Sequence, residues 1–145
     1  MTRIDFYTLA AGSQGDRLLL TCRLVQKAHG EGLRVYIETT DDQTARALDR
    51  ILWTFRDDSF LPHGLIGETD PDLTPILIGP RKAEAPEGQI QVLINLGLEV
   101  PGALDHCERL IEPIDHDPAV RAAGRRRYAH YKGLGHVLSH QEVSL

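Results

Sequence analysis

The apolar positions of this chain change their period as the sequence proceeds. Ile4-Asp-Phe-Tyr-Thr-Leu mixes β-branched and aromatic residues as a strand does, and Leu33-Arg-Val-Tyr-Ile-Glu-Thr repeats that pattern. Between them, from about Asp16, Leu18, Cys22, Val25 and His29 recur along one side of a helix that stops at Gly30. Thr40-Asp-Asp-Gln opens the next helix as a capping box, the Thr40 hydroxyl accepting from the Gln43 amide while Gln43 reaches back. Ala45, Leu48, Leu52 and Phe55 share its inner face. Pro75-Ile-Leu-Ile-Gly and Gln89-Ile-Gln-Val-Leu-Ile-Asn-Leu are continuous apolar runs, the mark of central strands covered on both faces. Pro80 to Gly88, between them, is a charged loop. Pro101 to Cys107 reads as a short helix and Leu110-Ile-Glu-Pro-Ile as a last strand, with Pro113 at its end. Asp117 then caps a final helix that has Pro118 at its first position.

Strands alternating with helices predict an α/β three-layer sandwich around a mostly parallel central sheet. With 145 residues, no internal repeat and no linker, residues 1–145 are expected to form a single domain. A hydrophobic content of 41% with 26% charge is ordinary for a globular chain. No apolar run is long enough to span a bilayer, and Thr2-Arg3 leads straight into a strand, so neither membrane nor export is expected and the protein is placed in the cytoplasm. Cys22 and Cys107 lie far apart without metal spacing and read as small apolar residues of a reducing compartment.

Residues 52–68 break the regular pattern. Trp53, Phe55 and Phe60, from a chain with one Trp and three Phe, fall within eight residues of one another. Ser59 to Glu68 has loop chemistry, with Pro62, Gly64 and Gly67. Phe55 belongs to the inner face of the preceding helix, and Trp53 suits either the core or a contact surface. Phe60, beside Pro62 and His63 with no apolar periodicity to bury it, is expected to meet a partner protein. His63 suits a hydrogen-bonding role in the turn better than that of a catalytic base.

Charge singles out the last helix. The net charge of −5 argues against wrapping nucleic acid or reading its sequence directly. Yet Pro118 to Gln141 holds four Arg, one Lys and no acidic residue, so the rest of the chain carries −10. At about 100° per residue, Arg121, Arg125, Tyr128 and Lys132 share a stripe beside Val120, Gly124 and Tyr131, which face the sheet. Gly124 in mid-helix implies close approach of a neighbouring element. An arginine fork beside a tyrosine ring suits a carboxylate next to an apolar group. Arg126, pointing away from both stripes, reads as solvated.

Catalytic signatures are missing. The turn Ala10-Ala-Gly-Ser-Gln-Gly-Asp stands where nucleotide-binding folds place a phosphate loop but fits neither glycine-rich fingerprint. His106 and Cys107 have no orienting third group. His136 and His140 have four-residue spacing, in a tail expected to be mobile, with no third ligand. No catalytic residue, metal or cofactor is therefore predicted. The alternative, a small nucleotide-dependent or hydrolytic α/β enzyme, has the scaffold but no constellation of residues.

Leu52-Trp53, Ser59-Phe60, Pro62-His63, Leu65 and Gly67-Glu68 together resemble the signature of the chi subunit family of bacterial DNA polymerase III holoenzyme. Phe6-Tyr7, Arg34-Val35, Arg127-Tyr128, Tyr131 and Gly135 extend the likeness over nearly the whole chain. The resemblance implies a Rossmann-like fold without a nucleotide site and a non-enzymatic adaptor in DNA replication. Such adaptors join the clamp loader, through its psi subunit, to the acidic C-terminal tail of single-stranded-DNA-binding protein. The tail pocket then maps to Ile114, Arg121, Arg125, Tyr128 and Lys132, and the psi surface to Trp53, Phe60, Pro62 and His63, with repair helicases as further candidates for the Phe60 loop. The family commonly has a basic residue directly after the pocket tyrosine; here it is Ala129.

Overall fold

Strands that are apolar on both sides must be covered on both sides, and that requirement sets the architecture. The computed structural model describes residues 2–55, 60–80 and 84–145. Strands β1 (Arg3–Leu9), β2 (Val35–Glu38), β3 (His63–Leu65), β4 (Ile76–Gly79), β5 (Ile90–Asn95), β6 (Cys107–Ile114) and β7 (Val137–Val143) form one sheet. Its order is β3-β4-β2-β5-β6-β1-β7, and every pair is parallel. Helices α1 (Arg17–Gly30) and α2 (Asp42–Thr54) cover one face. There Leu20, Leu24, Leu48 and Leu52 pack over Ile37, Ile78, Ile94 and Ile111. Helix α3 (Pro118–Gly133) lies on the other face, where Tyr131, with Leu104 from a one-turn 3-10 segment, packs over Ile4, Phe6, Leu93 and Leu110. All four residues of β4 are buried, as are five of the six in β5, which accounts for their unbroken apolar runs.

Several local expectations give way to tertiary structure. The cap of α2 is Asp41 rather than Thr40: its carboxylate accepts from the Thr44 amide at 2.6 Å and the Thr44 hydroxyl at 2.9 Å. An ionised acceptor one residue later outcompetes the hydroxyl box. The helix expected over 101–107 is only the 3-10 turn Leu104–His106, after which β6 begins at Cys107. Inside the segment read as loop, His63–Leu65 adds the edge strand β3 beside β4. Ser59, part of the same motif, lies outside the described residues, as do 81–83 of the charged loop.

The largest departure is at the end of the chain. Residues expected to form a mobile tail make β7, which pairs with β1 in the register Phe6↔His140 and Thr8↔Glu142. Edge strands escape detection by hydropathy because one side faces water, and Val137-Leu-Ser-His-Gln-Glu-Val has little alternation. Polar bonds fasten it. The Ser139 hydroxyl donates to the buried Asp5 carboxylate, which also accepts from Arg109 Nε at 2.6 Å, and the Ala10 amide donates to Val143 at 2.9 Å. Burial raises the Asp5 carboxyl, but the bonds from Ser139 and Arg109 and the charges of Arg109 and Arg3 outweigh it and hold it below its ordinary value.

Candidate functional site

At the carboxyl ends of β6 and β1 the chain turns into α3. Asp117 accepts from the Ala119 amide at 2.8 Å to start that helix, and Pro118 follows at its first position. The helix approaches β6 closely at Gly124, where a Cβ would stand 2.7 Å from Ile114 Cδ1. Between helix and sheet runs a groove of about 300 Å³. Arg121, Gly124, Arg125 and Tyr128 form its helix side; Ile114, Phe6, Thr8 and His140 come from three adjacent strands. Four of the five residues predicted for a tail pocket therefore meet here, and Lys132 is outside the lining. Phe6 and His140 were not expected; β7, missed as a strand, brings His140 in, its Nε2 2.8 Å from the Thr8 hydroxyl.

Each wall has a distinct chemistry. The Tyr128 ring meets Phe6 edge-on at 5.2 Å and remains 37% exposed, forming with Ile114 an apolar slot. Arg125 is exposed at its rim. Arg121 Nε donates to the Asp115 carbonyl at 3.1 Å, which turns its guanidinium over the β6–α3 corner. Two guanidinium groups beside an apolar slot suit a carboxylate attached to an apolar group, and an Arg can grip a carboxylate with two parallel bonds.

Beneath the groove lies an ion pair that the charge count concealed. Arg127, 3% exposed, gives the fully buried Glu112 a two-pronged grip, Nε to Oε2 at 2.9 Å and Nη2 to Oε1 at 3.0 Å. Tyr131 adds a hydroxyl bond at 2.6 Å and Asn95 an amide bond at 3.1 Å. Burial, together with the charge of Glu112, pushes the Tyr131 hydroxyl far above its ordinary value, so it stays a donor. The helical wheel held the signal: Arg127 falls within about 20° of Val120 on the sheet-facing stripe. Counting it with the other arginines hid that position.

The aromatic segment makes a second surface. Trp53, at the end of α2, is 52% exposed and Phe60 is 70% exposed, with ring centroids 5.8 Å apart. Trp53 is thus outside the core, while Phe55 packs partly buried against it. Pro62 is half-buried. His63 is buried: Nδ1 lies 2.6 Å from the Leu61 carbonyl and Nε2 3.0 Å from that of Asp49, with the Trp53 ring 4.4 Å away. The hydrogen-bonding role expected of His63 is the one it has.

Open α/β sheets bind ligands at the carboxyl ends of their strands, and between β5 and β6 that space is filled from within. Arg17 reaches across it and donates to the carbonyls of Pro113 and Leu96 at 2.8 Å, Gly97 at 2.9 Å and Asn95 at 3.0 Å. Burial lowers its pKa to about 10. At the start of α1 the Leu19 amide donates to Asp16 at 2.9 Å and the Arg17 amide to Asp115 at 3.0 Å, so carboxylates hold the donors that a phosphate would need. Leu145 occupies the space above Gly15, and its amide donates to the Ser13 hydroxyl at 2.9 Å. Burial pushes the Cys22 thiol up to about 12 and that of Cys107 to about 11, away from nucleophilic use. Among the described residues there is no group of three or more His, Cys, Asp or Glu arranged to hold a metal. None of their helices is long and apolar enough to cross a membrane.

Comparison with known proteins bears on the family of the whole chain. A family model described as DNA polymerase III chi subunit, HolC, matches residues 1–139. The chain is 37% identical over 138 residues to the DNA polymerase III subunit chi of Pseudomonas aeruginosa, spanning 95% of this chain and 94% of the relative. It is 29% identical over 142 residues to the subunit chi of Haemophilus influenzae, covering 96% of each. With that of Escherichia coli it shares 27% identity over 144 residues, covering 96% and 97%.

Proposed function

Because the chain belongs to the DNA polymerase III chi subunit family, replication accessory subunits of that polymerase, we propose that it acts as a non-catalytic adaptor in the cytoplasm. It links the clamp loader, through psi, to the C-terminal tail of single-stranded-DNA-binding protein. The observation that carries this reading is the α3 groove, where Arg121 and Arg125 border an apolar slot of Ile114, Phe6 and Tyr128. A disordered tail must be ordered to bind, so its affinity is concentrated in a few contacts. The terminal carboxylate goes to Arg125 and the terminal apolar side chain lies between Tyr128 and Ile114. Upstream acidic residues pass Arg121 and the exposed Lys132, which speeds encounter more than it tightens the complex. The Trp53–Phe60 pair, with Pro62 at its margin, receives psi or, in its place, a repair helicase.

A fluorescent peptide with the tail sequence tests the reading. Losing a hydrogen bond to a charged group weakens binding about ten- to a hundredfold, and Arg125→Ala is expected to do so. Salt should weaken binding as well, since the site is a surface one. A peptide lacking its last residue should lose nearly all affinity. Equal binding of the shortened peptide, or no effect of Arg125→Ala, means that the tail does not dock here.

A further inference from the structure

Trp53 and Phe60 are exposed, yet they belong to different elements: Trp53 lies near the end of α2, and Phe60 stands before β3. Two large rings on separate elements have many relative placements, and a partner that needs one of them must bear the cost of selecting it. His63 is what joins them. Its ring stands 4.4 Å from Trp53, which in turn stands 5.8 Å from Phe60. One ring nitrogen faces the Leu61 carbonyl of its own segment at 2.6 Å; the other faces Asp49 on α2, its carbonyl at 3.0 Å and its carboxylate at 3.3 Å. Leu61, between Phe60 and His63, is itself buried in the core. The Arg46–Glu68 pair, at 2.7 Å, ties α2 to the end of the same segment, but both side chains are more than half exposed and such pairs hold weakly.

We propose that His63 is the positioning residue of the protein-binding surface formed by Trp53 and Phe60. Its buried imidazole locks the start of β3 to α2 and presents the two rings in one arrangement. His63 is only 8% exposed, so a partner meets the rings rather than the histidine. The proposal rests on the reading of this corner as the psi site, and it assigns His63 to support where the family resemblance placed it among the contacts. A site held by a second layer of bonds is preorganised, and loss of that layer loosens the site before it unfolds the domain.

Trp53 is the chain's one tryptophan, so its fluorescence reports on this corner alone. The experiment compares the full chain with His63→Ala, His63→Gln and Phe60→Ala. It measures acrylamide quenching and anisotropy of Trp53, then titrates each protein with purified psi at a temperature where all are folded. His63→Ala should make Trp53 more quenchable and more mobile and weaken psi binding roughly tenfold. His63→Gln, whose amide can restore the bond to Asp49, should recover most of both. Phe60→Ala should lose psi binding while Trp53 stays close to the wild-type signal. If His63→Ala does not fold, His63→Gln and His63→Asn, each able to replace one bond, should show intermediate losses. Wild-type Trp53 signals and wild-type psi affinity in the His63 variants overturn the proposal, even if melting temperatures fall. Failure of the unmodified chain to bind psi overturns the adaptor reading instead, and the Trp53 signal still decides whether His63 sets the rings.

Discussion

The α3 groove and the Trp53–Phe60 corner stand at opposite edges of one sheet, and they are supported in different ways. The corner belongs to the β3 edge and draws its parts from the short span between α2 and β3, with one histidine beneath. The groove belongs to the β7 edge and gathers residues from β1, β6, α3 and β7, over a buried ion pair. The first is apolar and nearly local in sequence; the second is cationic and assembled from the whole length of the chain. Opposite placement leaves room for two partners at once, as the proposed adaptor role needs. It also means that damage to one surface should spare the other, unless it passes through the core.

The change expected to strain that independence most is Arg127→Ala. It strands a buried Glu112, and breaking a buried pair by removing one partner typically costs about 3–5 kcal/mol. A large fall in melting temperature is expected, with tail binding weakened at temperatures where the chain is still folded. Psi binding at the far corner should survive. Loss of both together would show that the two surfaces are not independent.

Phe60→Ala is the converse test. Truncating an interface aromatic often costs about 2 kcal/mol or more, so psi affinity should fall thirtyfold or further. At 70% exposure the ring contributes little to folding, and both the melting temperature and tail binding should hold. A marked loss of stability would place Phe60 in the core instead.

Gly124→Ala sharpens the account of the groove. Alanine gains roughly 1 kcal/mol of helix propensity. The new methyl, however, meets Ile114 Cδ1 at 2.7 Å, and forcing a packed side chain aside costs on the order of 1–3 kcal/mol. Ile114 should move into the slot, giving a slightly less stable protein with several-fold weaker tail binding. Unchanged tail affinity would mean that the apolar side chain sits elsewhere.

The smallest effect concerns Asp5, which fastens β7 at the groove edge. Its carboxyl is held below its ordinary value, so its stabilisation is present in full above the unfolded value of about 4 and is lost as pH falls through the folded one. Asp5→Asn should therefore flatten the acid limb of a stability-against-pH curve below about pH 4, measured by chemical denaturation. An unaltered limb would show that Asp5 contributes little there.

What hydropathy and turn chemistry could reveal, they revealed well. The central strands were legible because β4 and β5 are buried on both faces, and α3 because Asp117 and Pro118 mark its start. Arg121, Arg125 and Tyr128 could be brought together on paper, since they lie on one helical stripe. Phe60 stood out because nothing around it offered burial. Each of these signals is local, carried by spacing within a single element.

Other features are fixed only when distant segments meet. Strand β7 has weak alternation of its own and exists because β1 presents an open edge and Asp5 a buried acceptor. His140 enters the groove only through that pairing. Nothing near Arg127 or Glu112 in sequence marks them as a pair; the packing of α3 on β6 buries both and sets them against each other. Arg17 closes the crevice by binding carbonyls 78 to 96 residues further along the chain. Sequence by itself determined the central strands and the three long helices, because those depend on the period of apolar residues. Tertiary structure decided which charges are buried and which edges are paired, because a polar group's state depends on the partner it finds after collapse.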